Sequence, residues 1–444
     1  MSMTEKLFTE RTPKSKMLYE QAKTLFPSGV CHGVRLYPPY PLYANKAKGS
    51  KVWDVDGNEY IDYWMGHLSL ILGHSPAPVI EALQKQIRIG THWGMVNEPQ
   101  IELAELVHKM VPCAEKIRFC NTGTEATMYA IRLARAYTGK NVMLKAKGGW
   151  HGYNTELLWG TSTTGDYNIP DSAGMPPTIN HYVKFFDFND IDGTLRKIRK
   201  EPDLAGLIVE PVMGSAGIIP AQKEFLKVLK EEAESKNFVL IFDEIITGFR
   251  LGPSGGQGYY GITPHLATMG KVMGGGLSIG AVVGQDEIMR FTDQNRIPNK
   301  SQKVAIGGGT FSCNPMSMVA GIATLKVLNQ DAGIYERIRN LSAKLRSGIE
   351  KAFTEQDIPV QFTGLESLFQ VNFLKTKDAF IKSASDSANS DLKSKNLFNL
   401  KLLTRGVYTL HAHGAVSSAH SEADISESIQ VTREIAKEMR EGRR

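Results

Sequence analysis

The chain has 444 residues, 42% hydrophobic and 22% charged, a balance that excludes a disordered polymer and fits two or three packed domains. Its net charge of +6 comes from 52 Lys and Arg against 46 Asp and Glu spread along the chain, with no dense basic block for a nucleic acid. No stretch nears the ~18 uninterrupted apolar residues of a membrane span, and the opening Met1-Ser2-Met3-Thr4-Glu5-Lys6-Leu7-Phe8 lacks an apolar secretory core, so a soluble, cytoplasmic protein is expected.

A polar, helical start leads to residues 52–62, where apolar and polar residues alternate around Asp56-Gly57-Asn58, the signature of a β-hairpin. From about residue 75 helical periods alternate with short apolar strands at 116–120, 141–146, 205–209 and 238–242, which predicts a mainly parallel sheet with crossover helices. After about residue 317 the order of elements changes, and 376–397, rich in Ser, Asp, Asn and Lys, reads as an exposed insertion or helix pair. The expected organisation is an α/β protein with a large domain at 71–325 and a smaller one assembled from 1–70 and 326–444. Cys31, Cys113, Cys120 and Cys313 lack CxxC spacing and read as reduced thiols, and the eleven histidines show no metal-ligand spacing, so no metal is expected.

Several strand ends carry polar or glycine-rich turns. Asn121-Thr122-Gly123-Thr124 opens a helix directly after a strand, so Thr122, Gly123 and Thr124 are candidates to bind a phosphate at the positive helix end; ordinary N-capping competes with that reading. In Gly148-Gly149-Trp150-His151-Gly152, Trp150 is placed to stack on a flat heterocycle, with His151 beside it and Ile245 on the opposite face; core packing is the alternative for Trp150 and Ile245, and the better reading of Ile245 taken alone. Glu210 and Ser215 leave another strand at the carboxyl edge where open α/β sheets bind ligands. Gly307-Gly308-Gly309-Thr310 offers a second donor loop for a phosphate.

Lys271, in Gly270-Lys271-Val272-Met273-Gly274-Gly275-Gly276, is the most informative residue. An amine bonds to an aldehyde only when deprotonated, which favours a lysine in a partly desolvated, glycine-lined pocket; a lysine closing a helix before its glycine cap is the bland alternative. Asp243, ending an apolar strand, would keep a pyridine nitrogen protonated. Together the two describe a pyridoxal phosphate site.

These segments stand in one order: Asn-Thr-Gly-Thr-Glu-Ala, Trp-His-Gly, Glu-Pro-Val, Phe-Asp-Glu-Ile-Ile-Thr-Gly-Phe-Arg, Gly-Lys-Val-Met-Gly-Gly-Gly and Gly-Gly-Thr-Phe-Ser-Cys-Asn-Pro. In that order the chain, from about Tyr19 onward, resembles the class III pyridoxal-phosphate aminotransferases, in particular the glutamate-1-semialdehyde 2,1-aminomutase subgroup and its β-amino-acid aminotransferase relatives. The resemblance implies a fold-type I enzyme, with a mainly parallel seven-stranded sheet and a smaller α+β domain, working as a homodimer. It assigns Lys271 to the cofactor aldehyde, Asp243 to the ring nitrogen, Trp150 and Ile245 to the ring faces, Gly123 and Thr124 to the phosphate, and Thr310 to the phosphate of the neighbouring subunit's cofactor.

Arg35 falls where the subgroup presents an arginine to a substrate carboxylate, a task its planar fork suits. The likeness is incomplete. His67 replaces the aminomutase's tryptophan, and no carboxylate lies between Gly406 and Ser421, where that enzyme carries an acidic loop. His411 and His413, in this stretch, are candidates to receive a second carboxylate or to shape an aromatic substrate, with solvated loop histidines as the equal alternative. These departures point toward amino transfer between two small molecules, a carboxylate-bearing amine such as a β-amino acid and a 2-oxo acid. The alternative is intramolecular transfer giving 5-aminolevulinate.

Overall fold

The structure, a computed structural model, describes residues 2–163 and 166–441; the opening Met1 and the last three residues of the outlined C-terminal domain lie outside it. The chain forms two compact units, Ala77–Tyr335 with Phe380–Ala388, and Met1–Pro76 with Glu336–Ala379 and Asn389–Arg444.

The larger unit is built on one sheet of seven strands: β1 (Lys116–Cys120), β2 (Val142–Ala146), β3 (Val183–Phe186), β4 (Leu204–Val209), β5 (Val239–Asp243), β6 (Leu266–Gly270) and β7 (Gly280–Gly284). Their spatial order is β1-β7-β6-β5-β4-β2-β3. β7 is antiparallel to both its neighbours, while the pairings among β2 to β6 are all parallel. β2, β4, β5, β6 and β7 are buried along their whole length, which is why apolar residues dominate β4 and β5, whereas the edge strand β1 alternates.

The helix Gly123–Thr138 lays Ala126, Ala130, Leu133 and Ala134 into the core that holds Ile208, Val239, Ile241, Leu266 and Val282. Leu133 is fully buried, so its replacement by Ala costs about 2–5 kcal/mol. This packing fixes where the first turn of that helix points.

In the smaller unit Ala44–Lys48, Lys51–Asp54 and Glu59–Asp62 form an antiparallel meander, and Val407–Tyr408 adds in parallel to Ile61 and Asp62. That last pairing is what joins the two chain ends in one body. The expected hairpin turn is present: Asp54 accepts the N–H groups of Asp56 and Asn58 at 3.0 and 2.8 Å, and Gly57 takes φ +92°. A second, antiparallel sheet contains Val360–Thr363, Leu368–Phe373 and His413–Ala415.

Residues 376–397 are mostly exposed or half-buried and contain a 3-10 helix, Ala384–Asn389, and the start of an α-helix, in keeping with the expected exposed insertion or helix pair. Their anchors are Ile381, Ser383 and Ala384, which are buried, and Ser385, which donates to Asp187 at 2.6 Å. Part of their polarity is used internally, as where the Ser383 hydroxyl and N–H both bond Asp386. The segment then enters the helix Leu392–Leu403, which buries Phe398, Leu402 and Leu403.

Candidate active site

Asp243 ends β5 with 4% of its surface exposed, and both its carboxylate oxygens are occupied. Parallel pairing sets Thr268 of β6 opposite it, and the Thr268 hydroxyl donates to Oδ1 at 2.9 Å, as does the Ile245 N–H at 3.2 Å. Oδ2 lies 2.7 Å from His151 Nδ1. Burial holds the His151 pKa below its ordinary value although Asp243 pulls it upward, so the ring is neutral and its Nδ1–H is the donor. His151 Nε2 is left buried with no hydrogen-bond partner.

Glu210 follows β4 and accepts the N–H groups of Trp150 and Gly214 at 3.0 and 2.9 Å. Burial, then the Asp243 charge, push its carboxyl up to about 8. Trp150 is thereby anchored through its backbone, while its partly exposed indole meets Tyr153 edge-on at 4.9 Å. The Ile245 side chain occupies the space beside two glycines: a Cβ on Gly123 or on Gly270 would come within 3.1 Å of its Cδ1.

Lys271 directly follows β6 and holds a left-handed φ of +43°, a conformation that costs a non-glycine residue about 1–3 kcal/mol and persists where the surroundings impose it. The residue keeps some exposed surface, yet its amine is desolvated: this loss of water brings its pKa down to about 8 against the opposing pull of Asp243 and Glu210. Lys271, Asp243, Glu210, His151, Trp150 and Ile245 thus all stand in turns leaving the carboxyl ends of β2, β4, β5 and β6.

The helix after β1 completes this edge. Thr122 is its N-cap in a capping box, its hydroxyl accepting the Glu125 N–H at 3.1 Å while Glu125 accepts the Thr122 N–H at 3.0 Å. The capping alternative therefore describes the Thr122 side chain. It leaves the amides of Gly123 and Thr124, the first two helical residues, without intrahelical acceptors. Ser215 is exposed in the loop of the small hairpin Val212–Met213 and Ile219–Pro220, next to Gly214, whose N–H bonds Glu210, and has no described hydrogen bond of its own. Thr310 is exposed too. Its loop is tied to the helix start through Asn121 Nδ2, which donates to the Gly308 carbonyl at 2.9 Å, but Thr310 itself lines a cavity of about 230 Å³ with Trp93, Met95, Val96 and Cys313.

The remaining candidates all lie in the smaller unit. Arg35 is exposed on the turn Gly33–Arg35 and its Nε donates to His67 Nε2 at 3.4 Å. Trp64 lies 4.6 Å from the His67 ring and 4.9 Å from the His413 ring, and His411 Nε2 lies 3.4 Å from the Val34 carbonyl. The structure therefore brings Arg35, His67, His411 and His413 together. Burial lowers His411 and takes His413 well below the ordinary imidazole value, so both are neutral at pH 7.

Two positioning residues had no visible sequence signal. Thr268 acts through strand register, and Thr127 donates to the His151 carbonyl at 2.7 Å from inside the first helix. Among the described residues no cluster of three or more His, Cys, Asp or Glu is disposed around a metal position, and no helix is long and apolar enough to cross a membrane.

A mainly parallel seven-stranded sheet with crossover helices and a smaller α+β unit is the architecture of fold-type I pyridoxal-phosphate enzymes. Residues 34–420 match the family described as Aminotransferase class-III, and the chain belongs to that family of pyridoxal-phosphate enzymes. A glutamate-1-semialdehyde 2,1-aminomutase of Thermodesulfovibrio yellowstonii is 42% identical over 97% of this chain and 100% of its own, and further relatives of the same name share 37–41%. Among solved structures, an omega-transaminase from Sphaerobacter thermophilus has a TM-score of 0.89 and 32% identity over 97% of this chain and 99% of its own. A transaminase with pyridoxal phosphate bound has a TM-score of 0.88 and 31% identity, covering 98% and 99%.

Proposed function

We propose that this enzyme moves an amino group on a small carboxylate-bearing amine. The names of its curated relatives support the intramolecular form, glutamate-1-semialdehyde to 5-aminolevulinate, better than transfer between two molecules. One observation carries the amino-transfer reading: a desolvated lysine and a buried carboxylate leave adjacent strands of one sheet edge.

The residues present fit pyridoxal phosphate. Asp243 is a buried carboxylate whose hydrogen-bond partners are a neutral imidazole, a hydroxyl and an amide, so no cation is bonded to it among the described residues. A protonated ring nitrogen supplies that missing charge. Gly123 and Thr124 would give their amides and the positive helix end to the phosphate, and Trp150 and Ile245 would cover the ring faces. Lys271 would hold the cofactor's aldehyde carbon. When bound, the cofactor supplies the electron sink that no side chain provides.

Lys271 is the group that would take a proton from the substrate carbon bearing nitrogen and return it where the new amine is made; a pKa of about 8 suits both directions near neutral pH. His151, held by Thr127 from behind, fixes the Asp243 carboxylate without sharing its charge. Arg35 pairs with the substrate carboxylate, and Ser215 has no part in this scheme. The protein acts as a homodimer in which Thr310 reaches the partner's cofactor phosphate; Met95, Val96 and Phe311, exposed at 76, 86 and 60%, support such a contact.

The intermolecular reading is supported by the carboxylate-free stretch from Gly406 to Ser421 and by the imidazoles it brings beside Arg35. Incubation with glutamate-1-semialdehyde alone tests the preference. Stoichiometric 5-aminolevulinate is expected. No conversion, together with new amino acid formed from amine donors and pyruvate or 2-oxoglutarate, would reverse the order of the two readings.

A further inference from the structure

Lys395 lies in the helix Leu392–Leu403, four residues before Asn399 and so on the same helix face. Asn399 holds the loop that carries two of the histidines: its Oδ1 accepts the Thr409 hydroxyl at 2.9 Å and the Ala412 N–H at 3.2 Å. His411 and His413 flank Ala412, and Lys395 acts electrostatically on both. The nearest acid in sequence, Asp391, is committed to capping the helix, accepting the Ser394 N–H at 3.0 Å and its hydroxyl at 2.6 Å.

Lys395 Nζ has no hydrogen bond or ion pair among the described residues, and loss of water alone lowers its pKa to about 8. A lysine of this kind ordinarily carries its amine out to water. Here the residue keeps part of its surface exposed, so an anion can reach it, yet its amine is short of water and has no counter-ion, an arrangement that an arriving anion relieves. From His413 a row of rings runs through Trp64 and His67 to the Arg35 guanidinium, and His411 touches the carbonyl of the residue before Arg35. Two cations therefore flank a row of imidazoles, and no carboxylate from 406 to 421 neutralises either.

We propose that Lys395, with the ring N–H of His413, forms an anion subsite that pairs with Arg35 to bind small dicarboxylates, while His411, whose one N–H is held by the Val34 carbonyl, fixes the loop beside it. The inference rests on the reading of Arg35 as a carboxylate receptor. Arg35 holds one carboxylate bidentately, and the second regains for Lys395 the charge partner it lacks. A monocarboxylate fills only the Arg35 end.

Calorimetric titration of the cofactor-loaded enzyme with glutarate and with butyrate tests this, because the two differ at the second carboxylate and neither carries an amine. Glutarate is expected to bind about tenfold tighter or more, the scale of one charged hydrogen bond. Lys395→Gln should bring glutarate down to the butyrate level and leave butyrate unchanged, and Lys395→Arg should keep most of the preference. Equal affinities in the wild-type enzyme, or a preference that survives Lys395→Gln, would overturn the subsite. Arg35→Gln should weaken both ligands. If it weakens neither while Lys395→Gln still lowers glutarate binding, the Arg35 reading fails and the Lys395 subsite stands; melting curves separate either result from misfolding, and Lys395→Arg carries the comparison should the Gln variant fail to fold.

Discussion

The capture of cofactor by the apoprotein should follow the titration of Lys271. With a pKa of about 8 the amine is unprotonated in about 9% of molecules at pH 7, against about 0.03% for an ordinary lysine at 10.5, so the fold makes it about 300 times more available. Below the midpoint the capture rate rises about tenfold per pH unit, and it levels off above pH 8. The sign of the Asp243 contribution sharpens the test. Its negative charge favours the protonated amine, so Asp243→Asn should move the midpoint of the rate profile downward even as the finished complex becomes weaker. Stopped-flow absorbance of apoprotein mixed with pyridoxal phosphate between pH 6 and pH 10 reads both quantities, and borohydride should fix the cofactor at position 271 and nowhere in Lys271→Ala. A wild-type rate still climbing tenfold per unit at pH 9, or an upward shift in Asp243→Asn, would refute the claim that desolvation activates this lysine.

Three further substitutions separate positioning from chemistry. Asp243→Ala should slow the half-reaction with an amine donor by about 10²–10³-fold, the scale of losing a preorganised electrostatic partner, and near-normal single-turnover rates would count against its role. Thr268→Val removes the 2.9 Å bond to a buried carboxylate while keeping side-chain volume; cofactor retention in dialysis should weaken by about tenfold, and wild-type retention would show the bond to be idle. Gly280→Ala would set a Cβ 2.3 Å from the Thr122 carbonyl at the helix start, and a loss of about 1–3 kcal/mol in denaturant unfolding is expected; unchanged stability would mean that β7 can shift there freely.

What could be read before the structure was the part that chemistry writes into consecutive residues. Lys271 among glycines and Asp243 closing an apolar run each carry a local signature, and the buried strands β4 and β5 announce themselves by apolar runs, as does β2 apart from its Lys145. β7 did not. Its Gly-Ala-Val-Val-Gly is too short for a period, and its bounding Gly280 is there because the Thr122 carbonyl leaves no room for a side chain. Thr268 could not be singled out, because its value comes from sitting opposite Asp243 in a register that only strand pairing sets. Ser215 is exposed in the hairpin loop, one residue beyond the Gly214 amide that bonds Glu210, a position consistent with the ligand contact its strand end suggests. In residues 376–397 composition shows the exposed, polar character but not the few inward anchors, because it counts hydroxyls without showing which find internal partners.

The charge inventory of the smaller unit bears on which amino transfer occurs. On the proposed reading every step at Lys271 and Asp243 would be common to the intramolecular and the intermolecular reaction, so the sheet edge cannot choose between them. The choice would fall to the residues proposed to receive carboxylates. Glutamate-1-semialdehyde brings one carboxylate, which Arg35 alone can satisfy, and would leave Lys395 as unpaired as before. A dicarboxylic 2-oxo acid brings two, and the neutral ring of His413 adds a donor without adding a competing proton. A strong preference for glutarate over butyrate would thus weigh toward an enzyme that exchanges substrates in two halves, against the names of its relatives. Equal binding of the two would remove that argument and strengthen the aminomutase reading.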